Sequence, residues 1–214
     1  MKKHELEIRK TARYFTLGET NAQVEEVWFV CHGYAQLATE FLASFSALEK
    51  PGRLIVAPEG LHRFYAKGGG GKVAASWMTS EDRLSDIADY TAWLDTVATD
   101  VISKIPSQAR IIVLGFSQGA AAVCRWLAAG NTSANDLILW CGFFPPDMQP
   151  AQLPANLKLT IVTASDDRFI SPEQTATQFE ELKLKRVQFK HLHFEGTHTV
   201  EKAALLQLAE LLAI

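Results

Sequence analysis

The sequence predicts an α/β protein built on a doubly wound, mostly parallel sheet with helices on both faces. Three observations predict it. Runs such as RLIVAP (53–58), RIIVLGF (110–116) and DLILWCGFF (136–144) are apolar at consecutive positions, which buries both faces of a strand. These runs alternate with longer segments whose apolar residues recur at helical spacing. The opening HELEIRK…ARYFTL alternates apolar with charged residues instead, as antiparallel N-terminal edge strands do.

Taken in order, VEEVWFVC (24–31) is the first central strand and runs into the loop HGYAQ (32–36). TEFLASFSALEK (39–50) follows as a helix with Phe41, Leu42, Phe45 and Leu48 on one face. RLIVAP is a strand stopped by Pro58. Residues 81–104 read as a long amphipathic helix through Leu84, Ile87, Leu94, Val97 and Val101. After Pro106 comes the strand RIIVLGF, then the helix QGAAAVCRWLAAG, closed by Gly130 as its C-cap. DLILWCGFF and KLTIVTAS (158–165) are two more buried strands. Ser171-Pro172-Glu173-Gln174 spells a capping box, with proline in the first turn, for a helix running to about Lys183. RVQFKHLHF is the last strand and VEKAALLQLAELLAI the terminal amphipathic helix.

With 214 residues and 48% hydrophobic content, the chain suits one domain spanning 1–214. A net charge of −3 with scattered basic residues gives no footprint for nucleic acid. The start, MKKHELEIRKTARYF, lacks the apolar stretch of a secretory signal, and LILWCGFF is too short to cross a bilayer. A cytoplasmic protein without integral membrane association is therefore expected. The odd set Cys31, Cys124 and Cys141, without C-x-x-C spacing, reads as free buried thiols rather than disulfides or a zinc knuckle.

The chemistry centres on VLGFSQGAAA (113–122), which sets Ser117 between two glycines. A Gly-x-Ser-x-Gly match arises by chance roughly once in twenty chains of this size, so context must decide. Ser117 lies directly between a buried strand and a helix starting near Gln118. A turn that tight needs small residues on both sides, lifts the hydroxyl above the sheet and aims free helix amides at the reacting centre. A serine hydroxyl also needs a histidine to take its proton and an acid to orient that histidine. Later strand ends supply them in the order Ser, Asp, His: Asp166 and Asp167 after KLTIVTAS, and His198 after the last strand. The N–H of Gln118 and an amide from the loop HGYAQ would receive an oxyanion. His32, ahead of that loop, reads as its brace.

With these residues assembled, the chain resembles the phospholipase/carboxylesterase family of small α/β-hydrolases, which includes acyl-protein thioesterases. GFSQGAA, the early HG loop, the Asp-x-x-Ile of DRFIS and the single late histidine carry the resemblance, which extends over nearly the whole chain. It implies an α/β-hydrolase fold with Ser117 as nucleophile, His198 as base and Asp167, rather than Asp166, as orienting acid. It also implies that the backbone amides of Tyr34 and Gln118 form the oxyanion hole. The departures are HGYAQ in place of an HGLGD-like loop, SWMT in place of a Trp-Phe-Asp signature, and Ser171 in the usual place of a proline. All fall on the substrate side.

AKGGGGKV (66–73) fails the phosphate-loop pattern, having Ala66 and Val73 where Gly and Ser or Thr are required. Residues 62–79 are long for a strand–helix connection, and we expect a mobile flap over Ser117 with Trp77 and Met78 against an acyl chain. His191 and His193 alternate on one strand face with no third ligand at suitable spacing, and read as an ordinary strand face. PPDMQPAQLP (145–154) leaves no room for a lid domain, so the site should be open to solvent. The expected activity is that of a serine carboxylesterase or thioesterase acting through an acyl-enzyme on a small-molecule ester, without cofactor or metal. A lysophospholipase or acyltransferase with the same triad, and a catalytically silent ligand-binding relative, are the rival readings.

Overall fold

The computed structural model describes residues 1–213. Seven strands form one sheet: β1 (Tyr14–Leu17), β2 (Glu26–Cys31), β3 (Arg53–Pro58), β6 (Arg110–Phe116), β7 (Asp136–Trp140), β8 (Lys158–Asp166) and β9 (Phe189–Thr197), in the order β1-β3-β2-β6-β7-β8-β9. All neighbours pair in parallel except β1, which runs antiparallel to β3 with Tyr14 opposite Pro58. The antiparallel N-terminal edge is thus present as Tyr14–Leu17, and residues 1–13 lie outside the sheet.

Five helices cover it: α1 (Ala38–Ala43), α2 (Arg83–Ile102), α3 (Gln118–Ala129), α4 (Pro172–Leu184) and α5 (Lys202–Ala213). The apolar strands bury residues on both faces, because each face has its own core. One core packs Val27, Phe29, Val113 and Leu139 against α2 and α3 through Leu94, Val97, Val123 and Trp126. The other packs Trp28, Val30, Leu114 and Ile138 against Phe41 of α1 and Leu205 and Leu208 of α5. The capping box of α4 forms as its spelling predicts: Ser171 Oγ accepts from the Gln174 amide at 3.3 Å, and Gln174 Oε1 accepts from the Ser171 amide at 2.9 Å. Gly130 does cap α3, but with extended backbone rather than a left-handed turn. A side chain there would meet Trp126 O at 2.6 Å and Asp95 Oδ1 at 2.8 Å, so close approach is what favours glycine.

One element differs from the flexible segment the sequence suggests. Residues 62–76 form a separate antiparallel hairpin, β4 (His62–Tyr65) with β5 (Val73–Ser76), and the four glycines make its tip. Between β7 and β8 the described residues hold only a single 3₁₀ turn at Pro150–Gln152, so no lid domain is inserted there. No helix among the described residues is long and apolar enough to cross a membrane.

Candidate active site

The direction of winding reverses between β2 and β6, and the loops after these two strands meet at the carboxyl edge of the sheet, where a parallel sheet opens a crevice. Ser117 sits there, between the last residue of β6 and the first of α3, at φ 53°, ψ −117°. That left-handed backbone is uncommon for a residue with a side chain and persists only where the surroundings enforce it. Here the Ser117 amide donates to Trp140 O at 3.0 Å, and the two flanking glycines let backbone approach backbone. A Cβ on Gly115 would lie 2.3 Å from Gly119 O, and one on Gly119 would lie 2.3 Å from Cys31 O. The start of α3 is therefore pressed directly onto the end of β2. Ser117 itself is half-buried and not sealed from solvent.

The acid and the imidazole come from the ends of β8 and β9, beyond β7 in the sheet. His198 Nδ1 is 2.7 Å from Asp167 Oδ2, and Asp167 Oδ1 accepts from the amides of Phe169 (2.9 Å) and Ile170 (3.1 Å). The carboxylate is thus fixed from both sides, with its side chain only 3% exposed. The His198 ring packs between Phe116 and Phe169, 4.9 and 4.7 Å away by ring centres. Phe116 immediately precedes Ser117, so this contact sets the imidazole beside the elbow. Asp166 ends β8 as an exposed residue paired with Thr197, away from this contact.

The loop after β2 is held by several bonds. His32 is fully buried, its Nδ1 2.7 Å from Gly33 O and its Nε2 accepting from the Gly60 amide at 2.9 Å. Burial pushes its pKa down, which keeps the ring neutral and lets it bridge both groups. The Gly33 amide donates to Gln36 Oε1, and the Ala35 amide to Ala75 O, both at 2.9 Å. Tyr34, between them, points a largely exposed side chain towards Phe64 of β4. Gln118 opens α3, so its own amide belongs to the unpaired first turn.

Trp77 and Met78 part company. Trp77 is fully buried, stacked on His32 at 4.9 Å, and its Nε1 donates to His32 O at 2.8 Å. It lies under the loop rather than on the cleft surface. Met78 remains half-buried, with its Sδ 3.6 Å from Arg125. The side chain of Gln118, which spacing alone does not reveal, fixes this segment: Oε1 accepts from the Trp77 amide at 3.2 Å, and Nε2 donates to Met78 O at 2.9 Å. Arg125 is equally hidden from sequence reasoning. It is 9% exposed, pairs with Asp147 at 2.6 Å, and through it joins Arg83 at 2.8 Å. The Sγ of Cys141, a carboxylate oxygen of Asp167 and a ring nitrogen of His198 lie within 4.8 Å of one another. His191 and His193 share a different partner, the hydroxyl of Thr163, at 2.8 and 2.9 Å.

A family model described as Serine hydrolase (FSH1) matches residues 28–207. No curated protein matches the sequence. Several solved structures share the fold. Acyl-protein thioesterase 2 of Zea mays is 17% identical, with 95% of this chain and 98% of that chain covered at a TM-score of 0.69. Esterase PE8 is 18% identical over 95% and 99% of the two chains, at 0.70. A carboxylesterase from Mesorhizobium loti is 16% identical over 94% of each chain, at 0.72. At such identities the likeness is one of fold, a mostly parallel sheet of α/β-hydrolase type.

Proposed function

Because this chain belongs to the FSH1 serine hydrolase family, we propose that it cleaves carboxylic esters or thioesters of small molecules through an acyl-enzyme on Ser117. The observation that carries the reading is the juxtaposition of a left-handed serine at a helix start with an Asp167–His198 pair from the ends of β8 and β9, whose imidazole packs on Phe116 beside that serine. Ser117 Oγ attacks the carbonyl carbon while His198 Nε2 accepts its proton. Asp167 holds Nδ1–H and stabilises the imidazolium as it forms. The carbonyl oxygen gathers charge against the amides of Tyr34 and Gln118, which need no reorganisation at that moment. His198 then passes the proton to the departing alcohol or thiol, and water repeats the sequence to release the acid. Neither metal nor cofactor takes part in these steps. Met78 borders the substrate side, while Trp77 serves from beneath by fixing His32 and its loop.

The test is hydrolysis of p-nitrophenyl esters from acetate to palmitate by the wild type and by Ser117→Ala. The variant should lose at least about 10³-fold in kcat/KM, since only binding and oxyanion effects remain. Equal activity in the two proteins, or none in either, would sink the assignment and favour a ligand-binding role.

A further inference from the structure

We propose that Cys141, Asp167 and His198 together form a binding site for a thiophilic divalent cation, Zn²⁺ by its ligand chemistry, and that occupancy of this site switches hydrolysis off. The three residues follow three adjacent parallel strands, β7, β8 and β9, so the sheet itself brings thiol, carboxylate and imidazole to one place. Their donor atoms lie within 4.8 Å of one another. A tetrahedral zinc ion with sulfur near 2.3 Å and nitrogen and oxygen near 2.1 Å separates its ligands by roughly 3.3–3.7 Å. Any wider donor pair must therefore close slightly, while His198 Nδ1 and the Asp167 oxygen it now bonds at 2.7 Å must part to admit the ion. Cys141 is 1% exposed, and the side chains of Asp167 and His198 are 3% and 11% exposed, so little water must be stripped from the donors. Cys141 also has a left-handed backbone (φ 44°), an uncommon conformation for a residue with a side chain.

A small cavity of about 10 Å³ borders Cys141 and Asp167 and is otherwise lined by residues that include Thr163, Thr175 and Gln178. That is room for about one water-sized body. The hydrolytic cycle gives the thiol no task. Without metal it stays protonated, because burial and then the Asp167 carboxylate push its pKa far above the ordinary range.

The balance of the binding step explains the inhibition. Zn²⁺ forms bonds to Cys141 Sγ, to an Asp167 oxygen and to His198 Nδ1, with water in the fourth position. The thiol proton leaves to solvent. The Nδ1 proton relocates to Nε2, since a neutral imidazole carries one N–H. With Nε2 protonated, His198 can no longer accept the proton of Ser117. The inhibition rests on the hydrolase reading; the metal site does not.

Two measurements separate these claims. Titration of the metal-free chain with Co²⁺ should give a thiolate-to-metal charge-transfer band in the wild type and in Ser117→Ala, and none in Cys141→Ser or Cys141→Ala. Titration of p-nitrophenyl acetate hydrolysis with Zn²⁺ should cut the wild-type rate by about tenfold or more, with recovery on adding EDTA. Each Cys141 variant, scored against its own metal-free rate, should need about tenfold more Zn²⁺. A double variant, His191→Ala with His193→Ala, removes the exposed histidine pair and should be inhibited as the wild type is. The proposal fails if the band is missing, if the Cys141 variants are inhibited like the wild type, or if inhibition disappears with the histidine pair instead. A band in a chain that cleaves no ester would retire the hydrolase reading and leave the metal site standing.

Discussion

At the scale of single residues, His32 shows how a buried polar group can specify a loop. It has no exposed surface and bridges Gly33 O and the Gly60 amide, so its ring must stay neutral. Burial holds its folded pKa below the ordinary 6.5. Below that value the unfolded chain takes up a proton that the folded chain refuses, so stability falls as the pH drops. One proton contributes a slope of at most about 1.4 kcal/mol per pH unit. We expect His32→Gln to show a shallower fall in stability between about pH 6.5 and 5 than the wild type, by urea denaturation at a series of pH values. Parallel slopes would show that His32 does not carry the dependence. Its bracing role was readable from HGYAQ because a histidine ahead of an amide-donating loop has few other tasks. Its partner Gly60 was not, since it lies 28 positions away and is brought close only by the sheet.

At the scale of elements, the strand–serine–helix turn is legible because its requirements are local. Gly115 and Gly119 flank Ser117 in the sequence, and the structure uses both for backbone contact. Gly119→Ala places a methyl 2.3 Å from Cys31 O and 2.6 Å from His32 O. Moving α3 off β2 should cost about 1–3 kcal/mol and displace the Gln118 amide. A fall of about tenfold or more in kcat/KM, together with a lower denaturation midpoint, is the expected result; unchanged kinetics would mean that the elbow tolerates the shift. The β4–β5 hairpin was illegible for the opposite reason. Its strands are four residues each and β4 alternates between half-buried and exposed positions, so neither apolar runs nor a tight two-residue turn marks it. What holds it are side chains from afar: Gln118 bonds the segment 76–78, and Trp77 reaches under the loop to His32. The same distance hid Arg125, whose sequence context is only that of an apolar helix.

At the scale of the whole molecule, two apolar cores on opposite faces of one sheet make the strand order robust, and the sheet then converts sequence order into spatial order at its carboxyl edge. The Asp167–His198 pair was readable because each residue follows its own strand, as Ser117 follows β6. The approach of Cys141 was not, because nothing in LWCGFF marks a thiol that will face the acid of the next strand. The glycine tip of the hairpin has a consequence of a different kind. Gly68, Gly69 and Gly70 have open space where a side chain would stand, so no neighbour crowds these three positions. A break in the chain there would leave β1, β2 and β3 on one piece and every strand from β6 onwards on the other. The piece with the Tyr34 loop and the piece with Ser117 would meet along the β2–β6 pairing, six residues in register from Glu26 to Cys31. Fragments 1–69 and 70–214, each inert alone, should therefore regain ester hydrolysis on mixing. The enzyme would become a two-part reporter, giving a signal only when two proteins fused to its halves come together.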